Sequence, residues 1–176
     1  MTYSVTRSLA IDAGHRIMTH GSKCRHLHGH RYTIEATAAT AALHTSGEQQ
    51  DMVIDFSFLK QELLAEIDQP CDHGLICSLA DLALLEMLCP PTQEFPAWHR
   101  TVEQRVAREG YLATCEGRLG QKLYVVPFQP TAECLARHWF TRLAPRVEAR
   151  SDGYARLCRV VVWETPNCAA SFEPND

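Results

Sequence analysis

The sequence predicts an α+β fold in which helices cover one face of an antiparallel sheet. Apolar and polar residues alternate over residues 3–15 and again over residues 28–42, a pattern typical of half-buried strands. Apolar residues recur at helical spacing in segments 56–69 and 131–143. Strands and helices do not alternate regularly along the chain, which argues against a parallel sheet made of repeated strand–helix–strand units.

The first two strands are the clearest elements of the sequence. In residues 3–15, the side chains of Val5, Leu9, Ile11 and Ala13 share one parity. Arg7 is the exception to this alternation. Segment 16–27 is polar and irregular, and we expect a loop there. If that loop simply folds back, the strand over residues 28–42 lies antiparallel to the first.

One helix is predicted in the middle of the chain. Segment 47–52 has the composition of a turn. After it, Phe58, Leu59, Leu63 and Ile67 recur at the spacing of one helix face. Asp55 and Ser57 both stand where an N-terminal cap is expected, and the sequence leaves the choice between them open.

The C-terminal third is predicted to hold a strand, a helix and a last strand. Residues 122–127 are the short strand. The helix over residues 131–143 follows Pro130 and carries Glu133 in its first turn, where an acidic residue is favourable. Residues 154–164, rich in valine, are the last strand.

Segment 78–121 has the weakest pattern. Residues 79–89 and the region 98–108 are predicted to be helices. They are separated by prolines, which interrupt a helix: Pro90, Pro91 and Pro96. We therefore expect a largely helical segment between two parts of the predicted sheet.

Composition limits the classes of protein that the chain can belong to. At 176 residues and 45% hydrophobic content, it is long enough for one domain with its own core. The net charge is −4 and there is no run of lysine or arginine, so nothing favours binding to nucleic acid or an anionic membrane. No stretch has the length and apolar character of a membrane span or a signal peptide. The eight cysteines are dispersed, and we expect free thiols in a reducing cytoplasm.

Histidines at alternate positions predict a metal site. His28 and His30 are two residues apart in a predicted strand, so their side chains point to the same face with Cβ atoms roughly 6–7 Å apart. That separation allows two imidazoles to bind one ion. His15, at the end of the first strand, is the best candidate for a third ligand. His26 competes with it on spacing alone.

Cys24 lies in the loop that would border this metal. Three imidazoles with one open position are typical of catalytic zinc, whereas structural zinc sites are closed by a fourth ligand. Cys24 could be that fourth ligand, a catalytic base or an inert thiol. The positive charges of a metal ion, Lys23 and Arg25 would favour its thiolate form.

Two further acidic positions are candidates for chemistry. Asp72 and His73 are a carboxylate and an imidazole in sequence, and an aspartate that orients a histidine is common where protons are transferred. Adjacent residues do not usually face each other, so the direct pair is a weak inference. Glu164 ends an apolar strand and is either solvated there or directed into a ligand pocket.

Six ordered motifs together resemble one known family. They are Ala13-Gly14-His15-Arg16, Lys23-Cys24 with Leu27-His28-Gly29-His30, Met52-Val53-Ile54-Asp55-Phe56, Asp72-His73, Pro130-Thr131-Ala132-Glu133 and Trp163-Glu164-Thr165. In this order they resemble the 6-pyruvoyl-tetrahydropterin synthase / 6-carboxy-tetrahydropterin synthase family.

The resemblance implies a role for each candidate residue. The zinc ligands are implied to be His15, His28 and His30; the catalytic thiol, Cys24; the proton relay, Asp72 with His73; and the pterin contacts, Thr131, Glu133 and Glu164. It also implies a tunnelling fold, with an antiparallel four-stranded sheet and two helices on one face. Three such subunits would close a twelve-strand barrel, and two trimers would form a homohexamer with active sites between subunits.

Segment 78–121 departs from the short members of that family. It would be an insertion within a single domain over residues 1–176. An insertion of this kind is either a surface ornament or a lid or assembly contact that changes substrate access. No motif in the segment favours one of these interpretations.

The reaction implied by the resemblance acts on 7,8-dihydroneopterin triphosphate. Side-chain cleavage would give 6-carboxytetrahydropterin and acetaldehyde, on the route to queuosine, and the run from Cys24 to His30 favours this product. Elimination without cleavage would give 6-pyruvoyl-tetrahydropterin. Arg16, Lys23 and Arg25 are candidates for the triphosphate site. Two readings of another class are a non-catalytic zinc module and a zinc hydrolase.

Overall fold

A computed structural model describes residues 2–174 of the chain, and within them seven strands form one sheet. The strands are β1 (Tyr3–His15), β2 (His28–Thr40), β3 (Gly74–Ser78), β4 (Leu112–Thr114), β5 (Leu123–Val126), β6 (Arg156–Thr165) and β7 (Cys168–Phe172). Their order across the sheet is β4-β5-β3-β1-β2-β6-β7. The long hairpin of β1 and β2 therefore lies at the centre, and the end of it that loop 16–27 connects carries the histidines.

The sheet is larger and more mixed than the sequence suggested. β1, β2, β6 and β7 are antiparallel neighbours, as expected of a four-stranded antiparallel sheet. On the other side of β1, however, β3 and β5 run parallel to it and to each other. The expectation of a purely antiparallel, four-stranded sheet is therefore wrong for this half. β3 is buried along nearly its whole length, so it lacks the polar–apolar alternation that reveals a strand.

The helices are α1 (Phe56–Leu63), α2 (Gln69–Cys71), α3 (Leu82–Leu88), α4 (Phe95–Glu109) and α5 (Ala132–Arg150). Two helical units pack on one face of the sheet, as expected: one is α1 with α2, and the other is α5. A π-helical stretch, Leu64–Asp68, joins α1 to α2. The apolar side of this unit and of α5, including the fully buried Trp139, forms the main core with β1 and β2.

Segment 78–121 covers the opposite face at the β3–β5 end. α3 and α4 have a small core of their own around Leu85, Trp98 and Val102. That core includes Leu123 and Val125 of β5, whereas their neighbours on the same strand face the main core. The segment is mostly helical, as predicted, and also contains β4.

Helix caps resolve the alternatives that the sequence left open. The side chain of Asp55, not Ser57, caps α1, because its Oδ1 accepts a hydrogen bond from the Ser57 amide at 2.6 Å. Thr131 caps α5, which continues through Pro145 to Arg150, seven residues beyond the predicted end.

The prediction that the strand over 154–164 is the last one is wrong, because β7 follows it. Within residues 2–174, no helix has the length and hydropathy needed to cross a membrane.

Candidate metal centre and adjoining pocket

Three histidines converge at the end of the β1–β2 hairpin where loop 16–27 connects the two strands. The antiparallel register pairs His15 with His28, and His30 follows two residues later on the same face. The ring centroids are 4.6 Å apart for His15 and His28, 5.1 Å for His15 and His30, and 4.9 Å for His28 and His30. One nitrogen from each ring lies within 4.8 Å of the others. Among residues 2–174 this cluster contains His15 and not His26.

Backbone carbonyls orient two of the three rings. Nδ1 of His15 is 2.8 Å from the carbonyl oxygen of Pro130, and Nδ1 of His28 is 2.7 Å from that of His26. A carbonyl oxygen can only accept, so Nδ1 carries the proton in both rings and Nε2 keeps its lone pair. Such a contact to the second nitrogen is how proteins usually orient histidine ligands of metals. His26 thus contributes its backbone, and its side chain is exposed.

The cluster has the chemical properties that a divalent metal requires. Burial lowers the pKa of His15 to about 4, and burial also lowers the pKa of His30. Both rings therefore remain neutral, which is the form that coordinates metals. Nε2 of His15 is buried without a hydrogen-bond partner among the described residues. A buried, unpaired nitrogen is unfavourable unless it binds something, and the three residues fit zinc.

A pocket of about 240 Å³ adjoins the histidine cluster through His15. Its wall contains His15, Cys24, Thr131, Glu133 and Glu164, so five of the predicted site residues lie around one cavity. Glu164 Oε1 is 4.0 Å from Nε2 of His15. Cys24, although on the wall, is outside the cluster of potential metal ligands.

Asp72 and His73 form a direct pair despite being adjacent in sequence. His73 Nδ1 is 2.7 Å from Asp72 Oδ2, and Asp72 Oδ1 accepts a hydrogen bond from the Asp12 amide at 2.9 Å. The geometry depends on a left-handed backbone at His73, with φ of 56°, which its own amide stabilises by donating to the Asp12 carbonyl. Burial would raise the pKa of Asp72, but the hydrogen bonds from Asp12 and His73 outweigh it and lower that pKa.

The Asp72–His73 pair does not reach the pocket of its own chain. His73 lines a separate depression together with Gly14, Gly29 and His30. The pocket that contains Cys24 and Glu164 does not include His73. The side chain of His73 is 78% exposed. The structure therefore brings seven of the nine predicted residues into one region and leaves this pair outside it.

Comparison with known proteins identifies the family. The sequence model described as 6-pyruvoyl tetrahydropterin synthase matches residues 4–175. The chain belongs to this family. A relative in Rickettsia bellii, named 6-carboxy-5,6,7,8-tetrahydropterin synthase, is 30% identical over 163 residues, covering 93% of this chain and 94% of the relative. A Haemophilus influenzae protein of the same name is 29% identical over 171 residues, covering 97% and 99%.

Solved structures share the fold of this tetrahydropterin synthase family member. The crystal structure of an uncharacterized protein from Wolinella succinogenes superimposes with a TM-score of 0.73 at 21% identity. The match covers 99% of each chain, so it includes segment 78–121. At this identity the similarity concerns the fold alone.

Part of the pocket was not predicted from the sequence of this family member. Cys168, Ala169 and Ala170 of β7 line the same pocket as Cys24. A signal for β7 exists, because Pro166 and Asn167 form a two-residue turn between apolar runs. Nothing in the sequence indicated that the Pro130 carbonyl would hold His15, since backbone contacts between distant segments leave no residue pattern.

Proposed function

We propose that the chain is a zinc-dependent lyase of reduced pterin metabolism. It would convert 7,8-dihydroneopterin triphosphate and one water molecule to 6-carboxy-5,6,7,8-tetrahydropterin, with release of acetaldehyde and triphosphate, in the queuosine (7-deazaguanine) pathway. The observation that carries the proposal is the convergence of three imidazoles, with nitrogens within 4.8 Å, beside a pocket lined by a thiol and carboxylates. The names of the relatives from Rickettsia and Haemophilus support the same product.

His15, His28 and His30 would hold the zinc. When bound there, zinc supplies a Lewis acid that polarises oxygens on the substrate's side chain. The protein's part is to keep rings neutral and oriented. Burial favours the neutral form of His15 and His30, and the carbonyls of Pro130 and His26 orient His15 and His28.

Cys24 would remove the proton from the substrate carbon. Cys24 belongs to the pocket wall yet lies outside the ligand cluster, which supports a base rather than a fourth ligand. Bound in the pocket, the substrate would bring its side-chain carbon to the thiolate. The expected partner for the second proton transfer is Nε2 of His73, because Nδ1 of that ring is held by Asp72.

The second proton transfer would require a neighbouring subunit. His73 is largely exposed and does not line the pocket that contains Cys24 and Glu164. We therefore propose that the Asp72–His73 pair completes the pocket of an adjacent copy, in a homohexamer built as a dimer of trimers. This assembly accounts for a proton relay whose imidazole is exposed and lies outside the pocket with the proposed base. A cytoplasmic location is proposed as well, and it suits eight cysteines that are all free.

Glu164, Thr131 and Glu133 would position the pterin. A carboxylate can accept two parallel N–H bonds from the amino-pyrimidine edge of the ring, which fixes the plane and the direction of the substrate. Glu164 is the best placed for this role because it lies near His15 on the pocket wall. Thr131 and Glu133 line the same wall from the start of α5.

Substitution of Cys24 tests the proposal. We expect Cys24→Ala to retain zinc and to lose turnover by about a thousandfold, the loss typical of a removed acid–base group. Cys168→Ala is the matched control, because Cys168 is a thiol on the same wall with no proposed role. Zinc is measured by metal analysis, and products are identified by mass, with acetaldehyde scored separately.

Each alternative predicts a different outcome of that experiment. A non-catalytic zinc module with Cys24 as fourth ligand would lose metal affinity and folding stability together. A zinc hydrolase would tolerate Cys24→Ala and release no acetaldehyde. The family description names a pyruvoyl product, and a synthase of that kind would depend on Cys24 yet retain all the side-chain carbons in its product.

A further inference from the structure

Arg16 is held by a buried aspartate of segment 78–121. Its guanidinium donates two hydrogen bonds to Asp81, from Nε to Oδ2 at 2.6 Å and from a terminal nitrogen to Oδ1 at 2.5 Å. The side chain of Asp81 is 4% exposed, and that of Arg16 is 27% exposed. Parallel, two-point pairing of this kind fixes direction as well as distance. With its guanidinium occupied, Arg16 no longer suits the triphosphate role that its charge suggested.

The pair lies at the start of the loop that carries Cys24. Arg16 directly follows His15, and the next residue, Ile17, donates its amide hydrogen to the carbonyl of Cys24 at 2.7 Å. Cys24 is therefore linked to the anchored arginine through one backbone hydrogen bond, which is made by the residue that follows Arg16. Among the described residues, the Arg16–Asp81 pair is the one ion pair that ties loop 16–27 to the rest of the chain.

Helix α3 also lies beside the other end of this loop. Leu27 shares a surface depression with Ala83, Leu84 and Met87 of α3, and Arg16 lies in the same depression. Asp81 is itself the N-terminal cap of α3, because its Oδ1 accepts from the Leu84 amide at 3.3 Å. The cap of this helix thus binds one end of the loop between the first two zinc ligand positions, and the helix itself borders a depression that includes the other end.

We propose that Asp81 and Arg16 are positioning residues for the Cys24 thiol. In this interpretation segment 78–121 is not a surface ornament: it supports the wall of the pocket that bears the base. The inference rests on the proposed function, because the position of the Cys24 thiol matters for turnover only if that thiol is the catalytic base. It concerns the thiol loop and not the metal, because the three histidines are held by β1, β2 and the Pro130 carbonyl.

Asp81→Asn is the decisive variant. Asparagine has nearly the same volume and is an equally good helix cap, so α3 should persist while the charge that holds Arg16 is removed. We expect normal zinc content and a kcat lowered about tenfold, because a small displacement of a catalytic group is costly. The loosened loop should also expose its thiol, so iodoacetamide should alkylate Cys24 about threefold faster.

Two internal references make the alkylation experiment specific. Cys168 lines the same pocket from β7, and its alkylation rate, measured on its own peptide by mass spectrometry, should not change. Glu173→Gln is the matched variant, because it removes a carboxylate from an exposed pair with Arg159, a pair that includes no residue of loop 16–27. If Asp81→Asn does not fold, Arg16→Lys provides the same comparison, since lysine keeps the charge but loses the two-point geometry.

The possible outcomes separate this inference from the proposed function. A raised ratio of Cys24 to Cys168 alkylation with normal zinc supports the positioning role even if the unmodified chain forms another product. Unchanged alkylation in Asp81→Asn and Arg16→Lys overturns the inference even if the unmodified chain makes 6-carboxytetrahydropterin. Loss of zinc in these variants overturns it as well, because the pair would then serve the metal centre.

Discussion

The hydroxyl group of Tyr32 is buried beside the three histidines without a hydrogen-bond partner among residues 2–174. The ring is fully buried and stands edge-on to His15 and His30, with centroids 5.7 Å and 5.4 Å away. A buried hydroxyl that lacks a partner costs about 1–3 kcal/mol, whereas the ring contributes ordinary packing. The hydroxyl therefore lowers the stability of the metal-free chain.

We expect Tyr32→Phe to raise the free energy of unfolding by about 1 kcal/mol. The measurement is urea denaturation with a chelator present, so that metal binding does not contribute. Tyr124→Phe is the control, because the Tyr124 hydroxyl lies 2.7 Å from His138 Nε2 and its removal should cost about 1 kcal/mol. Equal destabilisation by both variants would mean that the Tyr32 hydroxyl has a bound water or another partner.

Single residues also show how far the sequence could predict the site. The spacing of His28 and His30 was sufficient to place two rings on one face. It could not choose between His15 and His26, because that choice depends on the β1–β2 register, which brings His15 opposite His28. The contact between Asp72 and His73 depends on the left-handed backbone at His73, and no residue pattern signals that conformation.

Individual strands were predictable where one face meets solvent and the other meets the core. β1 was predicted with its observed bounds and β2 to within two residues, because burial alternates along both. β3 and β5 lie between two cores, and only β5 was expected, from its valines. β4 and β7 have three and five residues and were too short to show a period.

Helix α5 is tied to the π-helical stretch after α1 by a group of charges. Glu66, 4% exposed, pairs with Arg142 and also with Arg146, the latter at 2.5 Å. Removing one partner of a buried ion pair leaves the other charges without compensation, and this is more costly than the pair itself is stabilising. The helices therefore depend on Glu66 for their mutual orientation.

We expect Glu66→Gln to lower the free energy of unfolding by about 3 kcal/mol, the lower end for a broken buried pair because Arg146 is half exposed. Glu103→Gln is the control, since its carboxylate is exposed and lies 3.6 Å from His99. That change should cost less than about 1 kcal/mol. Urea denaturation of both variants at neutral pH makes the comparison, and equal losses would contradict a structural role for the buried group.

The stability of the whole molecule should depend on pH through buried imidazoles. Burial lowers the pKa of His15 and of His138 to about 4, and for His138 the nearby Arg142 lowers it further. In the unfolded chain the ordinary value is 6.5. Between these values the unfolded chain binds more protons than the folded chain, so stability is fully present above pH 6.5 and falls as pH drops towards 4. Each group can account for at most about 3 kcal/mol.

His138→Gln tests this origin of the acid sensitivity. Glutamine can still accept the hydrogen bond from Tyr124 but has no proton to gain, so stability should fall less steeply with decreasing pH than in the unmodified chain. The measurement is the urea midpoint from about pH 7.5 to about pH 4.5 with a chelator present. His26→Gln, which removes an exposed imidazole, should follow the unmodified curve. Parallel curves for all three proteins would place the loss of stability in the carboxylates instead, because they too take up protons as the solution becomes acidic.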